Sequence, residues 1–165
     1  MDPLAWLGLK SKKDAARGLS AIQSEVRSLL PDDEPFVLRY IVIVSVLLTR
    51  VAVSDGRIEP SELNRLHDLF QHIDRMPTSR IDSFASILLD LVPELGDQDL
   101  SLCYRELKSL CDAEERMQVM RLLASQATAD GNIHPSEHSE LMAIAYELGI
   151  PAREMEELAI EVLAG

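Results

Sequence analysis

Aromatic residues are scarce. Three phenylalanines, three tyrosines and one tryptophan are all that 165 residues contain. A base-stacking platform for single-stranded nucleic acid is excluded by that shortage, and the core must be built from aliphatic side chains. Positive charge is short as well: 16 basic against 28 acidic side chains leave a formal charge of −12. Such a field repels phosphates, so nucleic acid is not an expected partner. Only two cysteines occur, Cys103 and Cys111. Eight residues apart in one amphipathic segment, they are too distant on a helix for a disulfide, and they read as buried small hydrophobes in a reducing compartment. The most apolar run, Tyr40 to Thr49 between Arg39 and Arg50, is half the length a membrane span needs. No basic stretch precedes the apolar start, so a secretory signal is not expected and the expected location is cytoplasmic. Gly-rich phosphate loops, G-x-S-x-G and C-x-x-C are all missing, which leaves no signature of an enzyme.

What the chain does have is helical period. Leu19, Ile22, Val26, Leu29 and Leu30 repeat at three- and four-residue spacing, and Pro31 to Pro35 ends that segment. Residues from Phe36 to about Val53 are apolar nearly all round, as in a central buried helix. Its β-branched run, Ile41 to Val44, could pair as a strand, but no second strand-like run exists. Further helices are expected at about 60–73, 79–92, 97–111, 113–128, 135–148 and 151–163. Asp112 and Glu115 form a capping pair, Pro135 and Pro151 open helices, and Gly149 closes one. The predicted fold is all-α, a single bundle of about seven to eight helices. An N-terminal segment of residues 1–30 precedes a helical domain at 31–165 that holds an internal duplication, with copies at about 36–92 and 113–163.

The duplication has an offset of 75 residues. Asp55-Gly56-Arg57-Ile58-Glu59-Pro60-Ser61-Glu62 agrees with Asp130-Gly131-Asn132-Ile133-His134-Pro135-Ser136-Glu137 at six of eight positions. Leu47, Leu48 and Ala52 recur as Leu122, Leu123 and Ala127. Each repeated residue has a structural task. Gly56 and Gly131 suit a left-handed helix end, and Asp55 and Asp130 can accept amide hydrogen bonds that tie the turn. Ile58 and Ile133 are expected to plug into the core. Pro60 and Pro135 suit the first helical position, and Glu62 and Glu137 suit the third, where a carboxylate reaches back to the cap.

A metal-ion reading competes with this one. Asp-Gly-x-Ile-x-x-x-Glu is the second half of an EF-hand loop, but the leading ligand positions would be Val51 and Val53, or Gln126 and Thr128, so a regular EF-hand is rejected. The metal candidates that remain are Asp55, Glu62, Asp130, His134, Glu137 and His138, for a divalent ion. His134-Pro135-Ser136-Glu137-His138 also has the H-x-x-E-H order of a zinc peptidase class, yet Pro135 puts His134 ahead of regular helix. His67 and His72, five apart on a helix, read as surface or boundary residues.

The duplicated D-G-x-I-x-x-x-E turn between helices, in an acidic chain of this size, resembles the TerB-like (tellurite-resistance) domain, and the N-terminal region of the DjlA membrane-linked co-chaperones resembles the same type. The matching residues are Ala52, Asp55, Gly56, Ile58 and Glu62, then Ala129, Asp130, Gly131, Ile133 and Glu137. Ser54 stands where the family usually has alanine, and residues 1–30 match less clearly. The resemblance implies a helical bundle without catalytic activity, linked to tellurite and other chemical stress, often near the inner membrane, with its paired acidic turns regarded as metal sites. The leading functional expectation is therefore a non-enzymatic interaction or scaffold module with protein partners. Charge distribution adds peripheral membrane contact: residues 1–30 carry net +2, leaving −14 elsewhere. Leu4, Trp6 and Leu7 beside Lys10, Lys12 and Lys13 resemble a short interfacial anchor. The alternative expectation is a metal-binding or metal-sensing domain built on the two turns.

Overall fold

Helix starts and stops in this protein follow proline, glycine and cap residues. The computed structural model describes residues 12–54, 64, 66–68, 70–71, 76–128 and 133–164, with side chains from Gly18 onward. Helix α1 (Lys12–Leu29) buries Leu19, Ile22, Val26 and Leu29, as their spacing predicts, and Leu30 closes the same face. Gly18 allows a close approach, since a β-carbon there would lie 3.3 Å from Leu95 Cδ2. After a turn at Pro31–Asp33, α2 (Pro35–Ala52) opens with Pro35 in its first turn and Glu34 extended before it. Next come α3 (Ile81–Leu91), α4 (Asp97–Leu110), α5 (Ala113–Ala127), α6 (Pro135–Glu147) and α7 (Ala152–Ala164). Short 3₁₀ turns at Thr78–Arg80 and Val92–Glu94 flank α3. Between α2 and α3, Asn64, Leu66, His67, Asp68 and Phe70 are also helical. No strand occurs among the described residues, and the fold is an all-α bundle.

Helix α2 is the hub. Every residue from Ile41 to Thr49 is buried, and the helix packs against α1, α3, α4, α5 and α6. Enclosure on all sides explains why a β-branched run is helical here: packing outweighs a weak intrinsic preference for strand. Two hydroxyls go in with it. Thr49 Oγ1 donates to the Ser45 carbonyl at 2.8 Å, which satisfies the threonine without a partner helix. The expectation of a short apolar run needs correction, because apolar residues continue past Arg39 and Arg50 in the same 18-residue helix. By length and composition alone, α2 is sufficient to cross a membrane. Half of it is buried within the protein, as in a core helix.

Around the hub, Leu66 and Phe70 are fully buried, and the Phe70 ring meets Phe84 of α3 at a centroid distance of 5.0 Å and a tilt of 48°. The loops carry the expected punctuation. At the end of α6, Gly149 adopts φ +75°, its N–H donates to the Tyr146 carbonyl, and Ile150 N–H reaches the Ala145 carbonyl at 2.9 Å. This pairing satisfies carbonyls that a helix end otherwise orphans. Arg116 Nη1 donates to the next one, on Leu148, at 3.1 Å.

The side chain of Asp112 accepts from Glu115 N–H at 2.8 Å and caps α5. Asp112→Ala is expected to lower unfolding free energy by roughly 0.5–2 kcal/mol, as other lost caps do. Urea denaturation checks it, and Asp112→Asn, which keeps a capping oxygen, should retain most of the stability.

Candidate functional site

The two copies of the repeat leave their first helices in the same way. Val53, ending α2, has φ −101° and ψ 11°, and its N–H faces the carbonyls of Thr49 and Val51. Thr128, ending α5, has φ −97° and ψ 11°, with its N–H facing Ala124 and Gln126. The 75-residue offset maps each of these residues onto its counterpart. Helices α2 and α5 also pack on one another, so the duplicated corners belong to neighbouring elements. Val51 is fully buried and Val53 is half-buried against the core, so the positions that would lead an EF-hand loop serve packing.

Beyond the corners, Asp55, Gly56, Ile58, Glu62, Asp130 and Gly131 lie outside the described residues, as does Ala129. The second copy is described again from Ile133. His134 is extended (φ −69°, ψ 148°) and caps α6 without a side-chain bond to the backbone, and Pro135 follows it into the helix. His134 is therefore not on a continuous helix with His138, and the zinc-peptidase geometry is not formed. Glu137 is buried, and its Oε1 lies 4.0 Å from His134 Nε2, so this carboxylate does turn back toward the cap residue. His138 is exposed. Being one residue apart on a helix, Glu137 and His138 point about 100° away from each other. Ile133 is half-buried just ahead of the cap. No cluster of three or more His, Cys, Asp or Glu side chains fit to hold a metal occurs among the described residues.

Of the N-terminal candidates, Leu4, Trp6, Leu7 and Lys10 lie outside the described residues, and Lys12 and Lys13 begin α1. His67 is half-buried, as a boundary residue should be, and bridges segments: Nδ1 contacts Asp82 Oδ1 of α3, and Nε2 contacts Gln71 Nε2 at 2.9 Å. His72 is outside the described residues. Cys103 and Cys111 are both free and buried. Burial, reinforced by Glu106 and Asp99, pushes the Cys103 thiol up to about 12, and burial with Glu115 and Asp112 also raises Cys111. Neither thiol is a poised nucleophile, because the thiolate is the reactive form.

Two clefts appear that sequence spacing does not disclose. The first, about 410 Å³, lies where α1 meets α2 and is lined by Gln23, Arg27, Leu38, Arg39 and Val42. Arg27 and Arg39 are exposed, and neither forms an ion pair with a described residue. Phe36 and Tyr40, a single turn apart beside Arg39, are 52% and 37% exposed. The second cleft, about 420 Å³, opens between α2, α4 and α6. There Arg50 Nε donates to Glu140 Oε1 at 2.9 Å, across 90 residues of sequence, with Tyr104 beside the pair. Burial raises the Tyr104 hydroxyl to about 12, Arg50 opposes that rise, and Glu140 and Glu147 add to it.

The family model described as Tellurite resistance protein TerB matches residues 42–160, from the middle of α2 into α7. That span contains both corners and α5 to α6 in full, and it leaves out α1. No curated protein and no solved structure matches the chain. The match covers well over half of the sequence and includes both copies of the turn, so the chain belongs to the TerB family of tellurite resistance proteins.

Proposed function

We propose that this chain is a non-enzymatic TerB-type interaction module of the tellurite or wider chemical-stress response, docking at the anionic inner face of the cytoplasmic membrane through the α1–α2 surface. The observation that supports it is the pairing of two unneutralised guanidiniums, Arg27 and Arg39, with two exposed aromatics, Phe36 and Tyr40, in a chain of net charge −12. Most other described arginines have a partner: Arg50 with Glu140, Arg80 with Glu25, Arg121 with Glu161 and Arg153 with Glu157. Leaving a guanidinium free beside apolar surface suits an anionic lipid interface, where each Lys or Arg contributes about 1 kcal/mol and aromatics sit at the headgroup level. The basic, apolar start of the sequence lies on the same side of the charge balance. The non-enzymatic part of the reading is supported by two protonated, buried thiols and a histidine with both ring nitrogens occupied.

Co-sedimentation with vesicles containing phosphatidylglycerol tests the reading. The parent should pellet at low salt, release as salt rises, and ignore neutral vesicles. Arg27→Glu with Arg39→Glu should weaken pelleting at least tenfold while the helical circular dichroism stays unchanged. Equal pelleting of parent and variant, or none by the parent, refutes the membrane reading.

A further inference from the structure

The α2–α4–α6 cleft has no part in the docking surface. Arg50, at its edge, is eleven residues from Arg39 along one helix, roughly 16 Å at 1.5 Å per residue. Its most informative side chain is Tyr104. This tyrosine is only 9% exposed, it lines the cleft, and its hydroxyl makes no hydrogen bond with a described residue. The hydroxyl is not sealed from solvent, and Tyr104 lines the cleft together with Arg50, Glu140 and Glu147, so the polar tip is open to it. A buried phenol normally finds a partner, and one left open toward a cleft has an unused hydrogen-bonding position there.

The surrounding charge selects the ligand. Arg50 is already engaged by one oxygen of Glu140, which leaves the other oxygen able to accept. Asp97 and Glu147 are exposed at the same cleft and add two further carboxylates, so the site is net negative even after the Arg50–Glu140 pair is discounted. Leu100 and Ala143 supply apolar wall. Acceptors on one side of an aliphatic wall fit a primary ammonium on a methylene chain, with three donors to place and a stem to bury.

We infer that the cleft between α2, α4 and α6 binds a primary aliphatic ammonium group, with the Tyr104 hydroxyl and the Glu140 carboxylate as its main acceptors. The same chemistry is offered by a lysine side chain of a protein partner and by a free polyamine.

Titration of the full chain with 1,5-diaminopentane and with Nα-acetyl-lysine methylamide, followed by NMR of the Tyr104 ring and by calorimetry, tests this. Saturable shifts at Tyr104 with at least one of the two probes are expected, and sodium chloride at matched ionic strength should not reproduce them. Tyr104→Phe keeps the ring and removes only the hydroxyl, and it should weaken binding about tenfold. Glu147→Gln, at an exposed position that does not threaten folding, should weaken it severalfold. Binding of the blocked lysine alone assigns the site to a partner's side chain, and tighter binding of the diamine assigns it to a polyamine. No saturable binding, shifts equalled by sodium chloride, or unaltered affinity in both variants overturns the inference. Vesicle binding is read from different residues and stands or falls separately.

Discussion

Leu48→Ala and Leu123→Ala are each expected to cost about 2–5 kcal/mol, the range found when a fully buried leucine is cut back and its cavity fails to collapse. The two residues are equivalent in the repeat, and they are 1% and 0% exposed. The neighbouring equivalent pair should behave differently. Leu47 on α2 is fully buried, whereas its counterpart Leu122 on α5 is only partly buried against the core. Leu47→Ala should therefore cost as much as Leu48→Ala, and Leu122→Ala should cost less than half of that. Chemical denaturation of the four variants decides the matter. Equal losses at positions 47 and 122 would mean that the two copies are packed symmetrically, contrary to the burial seen. The asymmetry has a clear origin: α2 is enclosed by five helices, while the outer side of α5 meets solvent.

The second large effect is expected at alkaline pH. Cys103 holds its proton up to about 12 in the folded chain against an ordinary value of 9.0, and Tyr104 up to about 12 against 10.0. Both groups bind a proton more tightly folded than unfolded. Their stabilising contribution is complete below pH 9 and is lost between 9 and 12 for Cys103, and between 10 and 12 for Tyr104. Within those windows each group should remove about 1.4 kcal/mol of stability per pH unit, since only the unfolded chain has released its proton. Urea midpoints at pH 8, 9, 10 and 10.5 measure this. Cys103→Ala should reduce the fall that begins above pH 9, to which Cys111 also contributes, and Tyr104→Phe the additional fall above pH 10. A midpoint that stays constant to pH 10.5 would show that neither group is desolvated in the folded state.

How much of this was legible in the residues differs by feature. The apolar face of α1 reads directly, because Leu19, Ile22, Val26, Leu29 and Leu30 follow the helical period and all five are buried. Asp112, Pro135 and Gly149 announce helix ends through local chemistry, namely an acceptor for a free N–H, a missing N–H and a tolerated positive φ. The run Ile41–Val44 was ambiguous, because β-branched residues fit either a strand or an enclosed helix, and what resolves it is coverage on every side. The zinc-peptidase likeness around His134 was decided by Pro135 alone. Glu137 turns inward and back toward the cap, as its third position in α6 suggested.

The clefts left no such trace. Tyr104 looks like an ordinary core aromatic at helical spacing, and Arg50 like the polar boundary of an apolar run. Arg27 and Arg39 stand on two helices separated by the turn at Pro31–Asp33, and nothing in their spacing says that they flank one opening. Arg80 was equally unremarkable, yet it reaches Glu25 at 2.8 Å across 55 residues.

Helical period, proline and glycine placement and a 75-residue duplication were enough to determine an all-α fold, the ends of several of its helices and the TerB family, because each acts within a few residues of chain or repeats visibly along it. Which arginines find a carboxylate, which stay free, and where a tyrosine hydroxyl meets a cleft were decided by the crossing of α1, α2, α4 and α6. Those crossings join side chains up to ninety residues apart, and local periodicity carries no information about contacts of that kind.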